Sequence, residues 1–403
     1  MACSKYGKFF DWNRSISKRL MKKLRRIPGS PLKVTTYIFK GIRPLCKTIT
    51  YKQRTDHAQS NFKRTEKDMI VSWMTTNQCN LSCKHCYQDA GHKKEEELST
   101  AQAKKLIDEI ASAGFKIMIF SGGEPLLRPD IFELVAYAAK AGLRPVFGTN
   151  GMLITKDVAL QLKDSGAAAM GISLDSLDEQ KHNNFRGNKE AFRKTMEGMQ
   201  NCKEAGLPFQ IHTTVMDWNQ NEVCDLVDFA VRKGAIAHYI FFLIPVGRGK
   251  FIEETSLEVA EYEALLHTIM EKQKAVPIDI KPTCAPQFTR VAKQIGTRTR
   301  FSQGCLAGSS YCIVSPVGIV RPCAYMTEEA GDIRQMPFDE IWKNSPLFEN
   351  LRTRDYKGAC GVCDYKMACS GCRARAGYYH GGDYMAEDSY CAYQKQLAAG
   401  VPG

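Results

Sequence analysis

Between residues 69 and 245 short apolar runs alternate with longer stretches of helical period. Ile70-Val71-Ser72-Trp73-Met74-Thr75-Thr76, Lys116–Phe120, Arg144–Phe147, Ala168–Ser173, Gln210–Val215 and Tyr239–Leu243 read as short buried strands. Helical stretches fall between them, near 99–113, 130–141, 155–165, 188–205 and 219–233, and a sixth is expected near 256–274. Ser99-Thr100-Ala101-Gln102 opens the first of these with the spacing of a capping box. Repeated strand–helix units predict a parallel sheet with right-handed crossovers. In such folds the C-terminal strand ends carry the functional groups.

Upstream the pattern differs. Ile16, Leu20, Leu24 and Ile27 recur at helical spacing with cations between them, until Pro28-Gly29-Ser30-Pro31 ends the run. A basic amphipathic helix of this kind suits peripheral contact with an anionic membrane surface or a partner; the plainer reading is a solvated arm. Residues 32–67 read as a lead-in without assigned chemistry, and Cys3 and Cys46 as isolated thiols. No apolar run reaches the roughly 18 residues of a spanning helix.

At 403 residues the chain is long enough for two domains and a large core. Its formal net charge of +13 is unevenly placed. Residues 1–68 hold 18 Lys/Arg against 4 Asp/Glu, and the rest hold 38 against 39. The body is therefore neutral, which argues against a nucleic-acid partner. Sixteen cysteines without a cleavable signal pattern point to metal binding in a reducing, cytoplasmic compartment.

The first strand runs into Cys79-Asn80-Leu81-Ser82-Cys83-Lys84-His85-Cys86, followed by Tyr87. Three thiolates on one loop suit three irons of a cubane, leaving the fourth iron open for reaction, as a catalytic zinc keeps one open position. Half a zinc site or part of a disulfide framework are the other readings of such spacing. One strand later come Gly122-Gly123-Glu124-Pro125: the glycines allow close backbone approach, and Glu124 can accept from a cationic amino group. Thr149-Asn150-Gly151 closes the third strand, and Ser173 and Asp175 close the fourth. Arg248 follows the last strand in Gly247-Arg248-Gly249, as a turn residue or a clamp for a substrate carboxylate. Cys284 stands between Pro282 and Pro286 as a ligand, a proton donor or a buried thiol. Eight further cysteines crowd the C-terminal region: Cys305, Cys312, Cys323, Cys360, Cys363, Cys369, Cys372 and Cys391. Eight thiols suit two four-thiolate sites better than one zinc; one cluster with free thiols, or zinc ribbons, are the alternatives.

The C-x3-C-x2-C loop, its aromatic neighbour and the Gly-Gly-Glu-Pro turn resemble the radical S-adenosylmethionine (SAM) superfamily. The resemblance implies a partial (β/α)6 barrel and a [4Fe–4S] cluster on Cys79, Cys83 and Cys86 whose open iron chelates SAM. Electron transfer then cleaves SAM to a 5′-deoxyadenosyl radical. It further implies SAM contacts by Gly122, Gly123, Glu124, Asn150, Ser173 and Arg186. The cysteine field resembles the SPASM domain that follows such barrels, and implies one or two auxiliary [4Fe–4S] clusters. By order, the ligands would be Cys305, Cys312, Cys323 and Cys372 for one, and Cys360, Cys363, Cys369 and Cys391 for the other. A two-residue gap before Cys372, where the family has three, bears on that division. The expected organisation is a basic arm at 1–67, the barrel at 68–250, a linking region at 251–304 and the auxiliary-cluster domain at 305–403.

Thr76-Asn77-Gln78-Cys79, Tyr87-Gln88-Asp89-Ala90-Gly91, Lys281–Phe288 and Gly371-Cys372-Arg373-Ala374-Arg375-Ala376 resemble the radical SAM enzymes of haem biosynthesis. That resemblance implies a tetrapyrrole substrate and an external electron donor of ferredoxin or flavodoxin type. The expected reaction is removal of acetate side chains from didecarboxysirohaem to give Fe-coproporphyrin III. Oxidative decarboxylation of Fe-coproporphyrin III propionates, as in haem synthases, and peptide modification are the alternatives. Arg248, Arg290, Arg321, Arg373 and Arg375 are candidate partners for the carboxylates of a tetrapyrrole, and no histidine or tyrosine stands out as a ligand to its iron.

Overall fold

The computed structural model describes residues 68–393; the basic amphipathic arm, Cys3 and Cys46 lie outside the described residues. Seven strands follow one another in parallel: β1 (Ile70–Met74), β2 (Ile117–Ser121), β3 (Arg144–Thr149), β4 (Ala169–Ser173), β5 (Phe209–Val215), β6 (Ala237–Phe242) and β7 (Asp279–Thr283). Helices α1 (Thr100–Ser112), α2 (Ile131–Lys140), α3 (Lys156–Asp164), α4 (Glu179–Arg186), α5 (Ala191–Ala205), α6 (Val223–Lys233) and α7 (Val259–Ala275) make the crossovers. Ser99 caps α1 through the Gln102 amide, and the Gln102 side chain returns the bond, as the capping-box spacing predicts.

Strand alternation divides the molecule. On β5, Phe209, Ile211 and Val215 turn outward to the helices, while Gln210, His212 and Thr214 face an interior lumen. On β1, Val71 and Trp73 enter the core under the helices, and Ile70, Ser72 and Met74 face the lumen. Leu106, Ile107 and Ile110 of α1 are buried in that core, each contributing about 1.5–3 kcal/mol.

Three features depart from the sequence pattern. Helix α4 is very polar, which hides it from a hydrophobic period; Asp178 caps its start through Lys181, and Gly187 ends it in the left-handed region at φ +70°. The stretch between the barrel and the cysteine field supplies β7, which pairs parallel with β6, and α8 (Phe288–Gln294). The cysteine field also joins the barrel sheet. Strand β8 (Tyr311–Val314) pairs parallel with β1, and β9 (Ile319–Arg321) and β10 (Gly331–Asp332) extend it antiparallel. The ten-stranded order is β10-β9-β8-β1-β2-β3-β4-β5-β6-β7, so the partial barrel is open between β7 and the β8–β10 edge. Helices α9 (Phe338–Asn344) and α10 (Pro346–Thr353) pack Phe338, Trp342 and Phe348 into the same core as α1. Three short helices follow: α11 (Gly358–Gly361), α12 (Lys366–Cys369) and α13 (Arg373–Tyr379). Among the described residues no helix is long and apolar enough to cross a membrane.

Candidate active site

Cys79, Cys83 and Cys86 lie beyond the C-terminal end of β1 and line the lumen. Their loop is held from several sides. Cys79 N donates to Gly91 O at 2.9 Å. Arg248 spans the loop: its backbone N donates to Cys86 O (2.9 Å), Nε to Cys83 O (2.9 Å), and Nη1 to Ala90 O and Asp89 Oδ1 (both 2.8 Å). Gly247, at φ +57°, leaves no room for a side chain, since a Cβ would lie 2.5 Å from Cys86 O. Helix α4 closes the far side. Its Phe185 O accepts from Lys84 N at 3.0 Å, and the Phe185 ring stacks on His85 at 4.3 Å. Arg186 Nη1 lies 3.8 Å from Cys83 Sγ, while its Nε pairs with buried Asp175 at 2.6 Å. Burial pushes the Cys79 thiol up to about 12. The thiolate form therefore needs a bound cation, as metal ligation provides.

The Gly122-Gly123 turn packs against the exit of β1. Gly123 N donates to Thr76 O and Glu124 N to Gln78 O, both at 2.8 Å, and a Cβ on Gly123 would lie 2.2 Å from Gln78 O. Glu124 is fully buried and accepts from Thr149 Oγ1 (2.8 Å), Asn150 N (2.9 Å) and Leu126 N (3.2 Å); burial lifts its carboxyl to about 7. Its side chain thus ties the end of β2 to the end of β3, and the lumen wall beside it is formed by Gly122, Gly123, Thr149 and Asn150. Asn150 Nδ2 donates to Asn80 Oδ1 at 2.8 Å, which couples this wall to the cysteine loop. Ser173, at the end of β4, donates to Thr149 O at 3.3 Å and faces the lumen.

The structure gathers the remaining cysteines into two groups. Cys284, Cys305, Cys323 and Cys372 line the lumen at the open side of the barrel. Cys360, Cys363, Cys369 and Cys391 line a separate small pocket. Cys312 joins neither group. It pairs in register with Val71 on the helix-facing side of the sheet and is fully buried in the hydrophobic core, while its neighbour Tyr311 takes the lumen side. A period of two places adjacent strand residues on opposite faces, and spacing along the chain carries no such information. Cys284 stands in the lumen group beside Cys305, Cys323 and Cys372. It sits just past β7 at φ +59°, with its carbonyl accepting from Arg375 Nη2 at 2.6 Å. Asp388, fully buried, joins the two groups: it pairs with Arg375 (3.2 Å) and accepts from Cys372 N (2.7 Å), and its carbonyl accepts from Cys391 N (3.0 Å). Burial pushes the Cys372 thiol up to about 11. Among the described residues no three His, Cys, Asp or Glu side chains converge as for a single metal ion.

The five arginines expected at a carboxylate have protein partners. Arg248 clamps the cysteine loop, Arg290 pairs with Glu263 at 2.7 Å, and Arg321 with Glu329 at 2.7 Å. Arg373 donates to the carbonyls of Tyr384 and Ala386, and Arg375 pairs with Asp388.

The lumen has a volume of about 1320 Å³ and runs from the Cys79–Cys86 loop past the Cys284 group into the barrel. That exceeds the roughly 300–1,000 Å³ of an ordinary small-molecule pocket. Residues 73–230 match the radical SAM superfamily model, and residues 305–372 match an iron–sulfur cluster-binding (SPASM) domain. AdoMet-dependent heme synthase of Methanosarcina barkeri is 42% identical over 344 residues, covering 82% of this chain and 98% of that protein. The chain belongs to the radical SAM superfamily. As a radical SAM enzyme with a SPASM domain, it uses SAM and [4Fe–4S] clusters, and its buried thiol groups and glycine-lined wall fit them. Fe-coproporphyrin III synthase of the same organism is 31% identical over 82% of this chain and 89% of that protein. Streptococcus suis SuiB bound to precursor peptide SuiA shares the radical SAM fold at TM-score 0.67 and 18% identity, over 81% of this chain and 76% of that one.

Proposed function

We propose that the chain is a radical SAM haem synthase, converting propionate side chains of Fe-coproporphyrin III to vinyl groups. The observation that carries this reading is the 42% identity to a heme synthase along 98% of that protein's length. The deacetylation of didecarboxysirohaem is the second reading, supported by the 31% relative named Fe-coproporphyrin III synthase.

In this reading Cys79, Cys83 and Cys86 hold the SAM-binding cluster. Gly122, Gly123, Asn150 and Ser173 form the wall for SAM, and Glu124 and Arg186 hold that wall and Cys83 in place. Cys284, Cys305, Cys323 and Cys372 hold one auxiliary cluster, and Cys360, Cys363, Cys369 and Cys391 a second. Loaded, these groups supply hydrogen-atom abstraction and an outlet for one electron per side chain. Each propionate loses one hydrogen atom, one carbon dioxide and one electron on becoming a vinyl group. The protein's part is position and exclusion of water: a largely apolar lumen keeps the reacting carbon between the Cys79–Cys86 loop and the Cys284 group and away from solvent. An external carrier of ferredoxin or flavodoxin type completes the electron balance.

The test is an anaerobic assay of reconstituted protein with SAM, a reductant and either Fe-coproporphyrin III or didecarboxysirohaem, read by mass spectrometry. Loss of carbon dioxide from Fe-coproporphyrin III with 5′-deoxyadenosine formed is the expected result. Turnover of didecarboxysirohaem alone replaces it with the deacetylase reading.

A further inference from the structure

Three tyrosines from separate elements meet at one corner of the lumen. Tyr87 follows the cysteine loop, Tyr311 opens β8, and Tyr325 lies two residues past Cys323; all three line the lumen. The Tyr87 and Tyr325 rings are 5.1 Å apart. Tyr87 Oη lies 3.4 Å from Met74 Sδ and is hydrogen-bonded with Ser121. Met74 and Ser121 pair in register on β1 and β2. Tyr311 is hydrogen-bonded with Ser72, the neighbouring lumen-facing residue of β1. Two residues of a strand span about 7 Å, so the Tyr87 and Tyr311 hydroxyls sit one row apart. Tyr325 stands beside Cys284 and Cys323, and among the described residues its hydroxyl has no hydrogen-bond partner. The corner therefore lies between the Cys79–Cys86 loop and the Cys284 group.

This corner is polar without charge. A phenol, with an ordinary pKa of about 10, is a neutral donor at physiological pH. Asp279 is the one carboxylate among the described residues that line the lumen, and it pairs with Arg300 at 2.7 Å. The cations of the lumen are engaged as well. Arg186 pairs with Asp175, Arg248 clamps the cysteine loop, and Arg144 and Lys281 have protein partners too. A hydroxyl in an apolar cavity needs an acceptor, and here the ligand must supply it. A carboxylate suits best: it accepts up to about four hydrogen bonds, and bonds to a charged acceptor are about twice as strong as neutral ones.

The structure assigns this corner to the carboxylate of the propionate that reacts. This rests on the tetrapyrrole reading above and deepens it. Tyr325 and Tyr311 donate to the carboxylate oxygens, and Tyr87 exchanges its long contact with Met74 Sδ, a weak acceptor, for a third bond. The adjoining methylenes are thereby held beside the cysteine loop. The vinyl product accepts no such bonds, so the corner lets go of each side chain once it has reacted.

The test is anaerobic titration of the full chain, loaded with clusters and SAM but given no reductant, and followed by the absorbance of the added tetrapyrrole. Iron coproporphyrin III carries four propionates; iron mesoporphyrin IX has ethyl groups in place of the two that react. Wild-type protein is expected to bind the first about tenfold more tightly or better, as charge-assisted bonds out of water provide. Tyr325→Phe keeps the ring and removes one donor. It should weaken iron coproporphyrin III about tenfold and leave iron mesoporphyrin IX within about twofold. Tyr311→Phe should act in the same way, and serves if the first variant folds poorly. Iron content, and 5′-deoxyadenosine formed on later reduction without tetrapyrrole, report intact clusters and an intact SAM site. Unchanged preference in both variants overturns the assignment. An equal loss for both probes also overturns it, since the hydroxyls would then serve the macrocycle or its iron. Equal wild-type affinity for the two probes overturns it too, leaving the haem reading standing. Failure of the wild type to bind either probe removes the tetrapyrrole reading itself.

Discussion

Replacing Cys312 and Cys284 in turn separates the two ligand divisions. Cys312 is fully buried on the helix side of the sheet, so Cys312→Ala deletes one sulfur from a packed apolar site. The lost transfer free energy is about 1 kcal/mol. A void of roughly 20 Å³ adds about 0.5 kcal/mol at about 24 cal/mol per Å³. For a chain of 403 residues a total of about 1.5 kcal/mol lowers Tm by about 2 °C. Iron content after reconstitution should not change. Cys284→Ala removes a wall of the lumen group instead, and should cost one cluster, about four irons per chain. The assays are iron and sulfide analysis on anaerobically reconstituted protein, electron paramagnetic resonance of the reduced clusters, and calorimetry. Loss of a cluster from Cys312→Ala with full iron in Cys284→Ala would refute the face argument. It would require β8 to be turned over in the loaded protein.

Arg248→Ala removes the side-chain bonds to Cys83 O and Ala90 O; the cysteine loop should reconstitute more slowly and lose iron faster to a chelator, and equal chelation rates would refute the clamp. Asp388→Ala strands Arg375, which is 1% exposed, and leaves Cys372 N without its acceptor; removing one partner of such a pair costs about 3–5 kcal/mol, visible as lower Tm and iron loss from both C-terminal groups. Gly123→Ala drives a Cβ into Gln78 O, which backbone must relieve at about 1–3 kcal/mol; equilibrium binding of SAM should weaken, and unchanged binding would show that the turn can move freely.

Much of the site is legible in the chain before any coordinates. The Cys79–Cys86 loop and the Gly122–Gly123 turn are contiguous, and a strand–loop–helix unit places such strings by local propensity alone. The parallel strands show because their apolar runs are short and regularly spaced. Cys360, Cys363, Cys369 and Cys391 line one pocket, and the first three lie within ten residues on and between two short helices.

Other features depend on where strands pair. Cys312 and Cys284 look alike as isolated cysteines; pairing with Val71 sends the first into the core, and the exit from β7 sends the second into the lumen. Helix α4 is fixed by Asp178 and Gly187, two polar signals that a hydrophobic period does not register. The arginines beside the cysteine motifs meet buried or nearby carboxylates and carbonyls. The sequence by itself determined the fold class, the cluster loop and the family, because those rest on local spacing and period. The tertiary structure alone decided which cysteines meet and which charges face the lumen, because a strand's two faces are assigned only when its neighbours are in register.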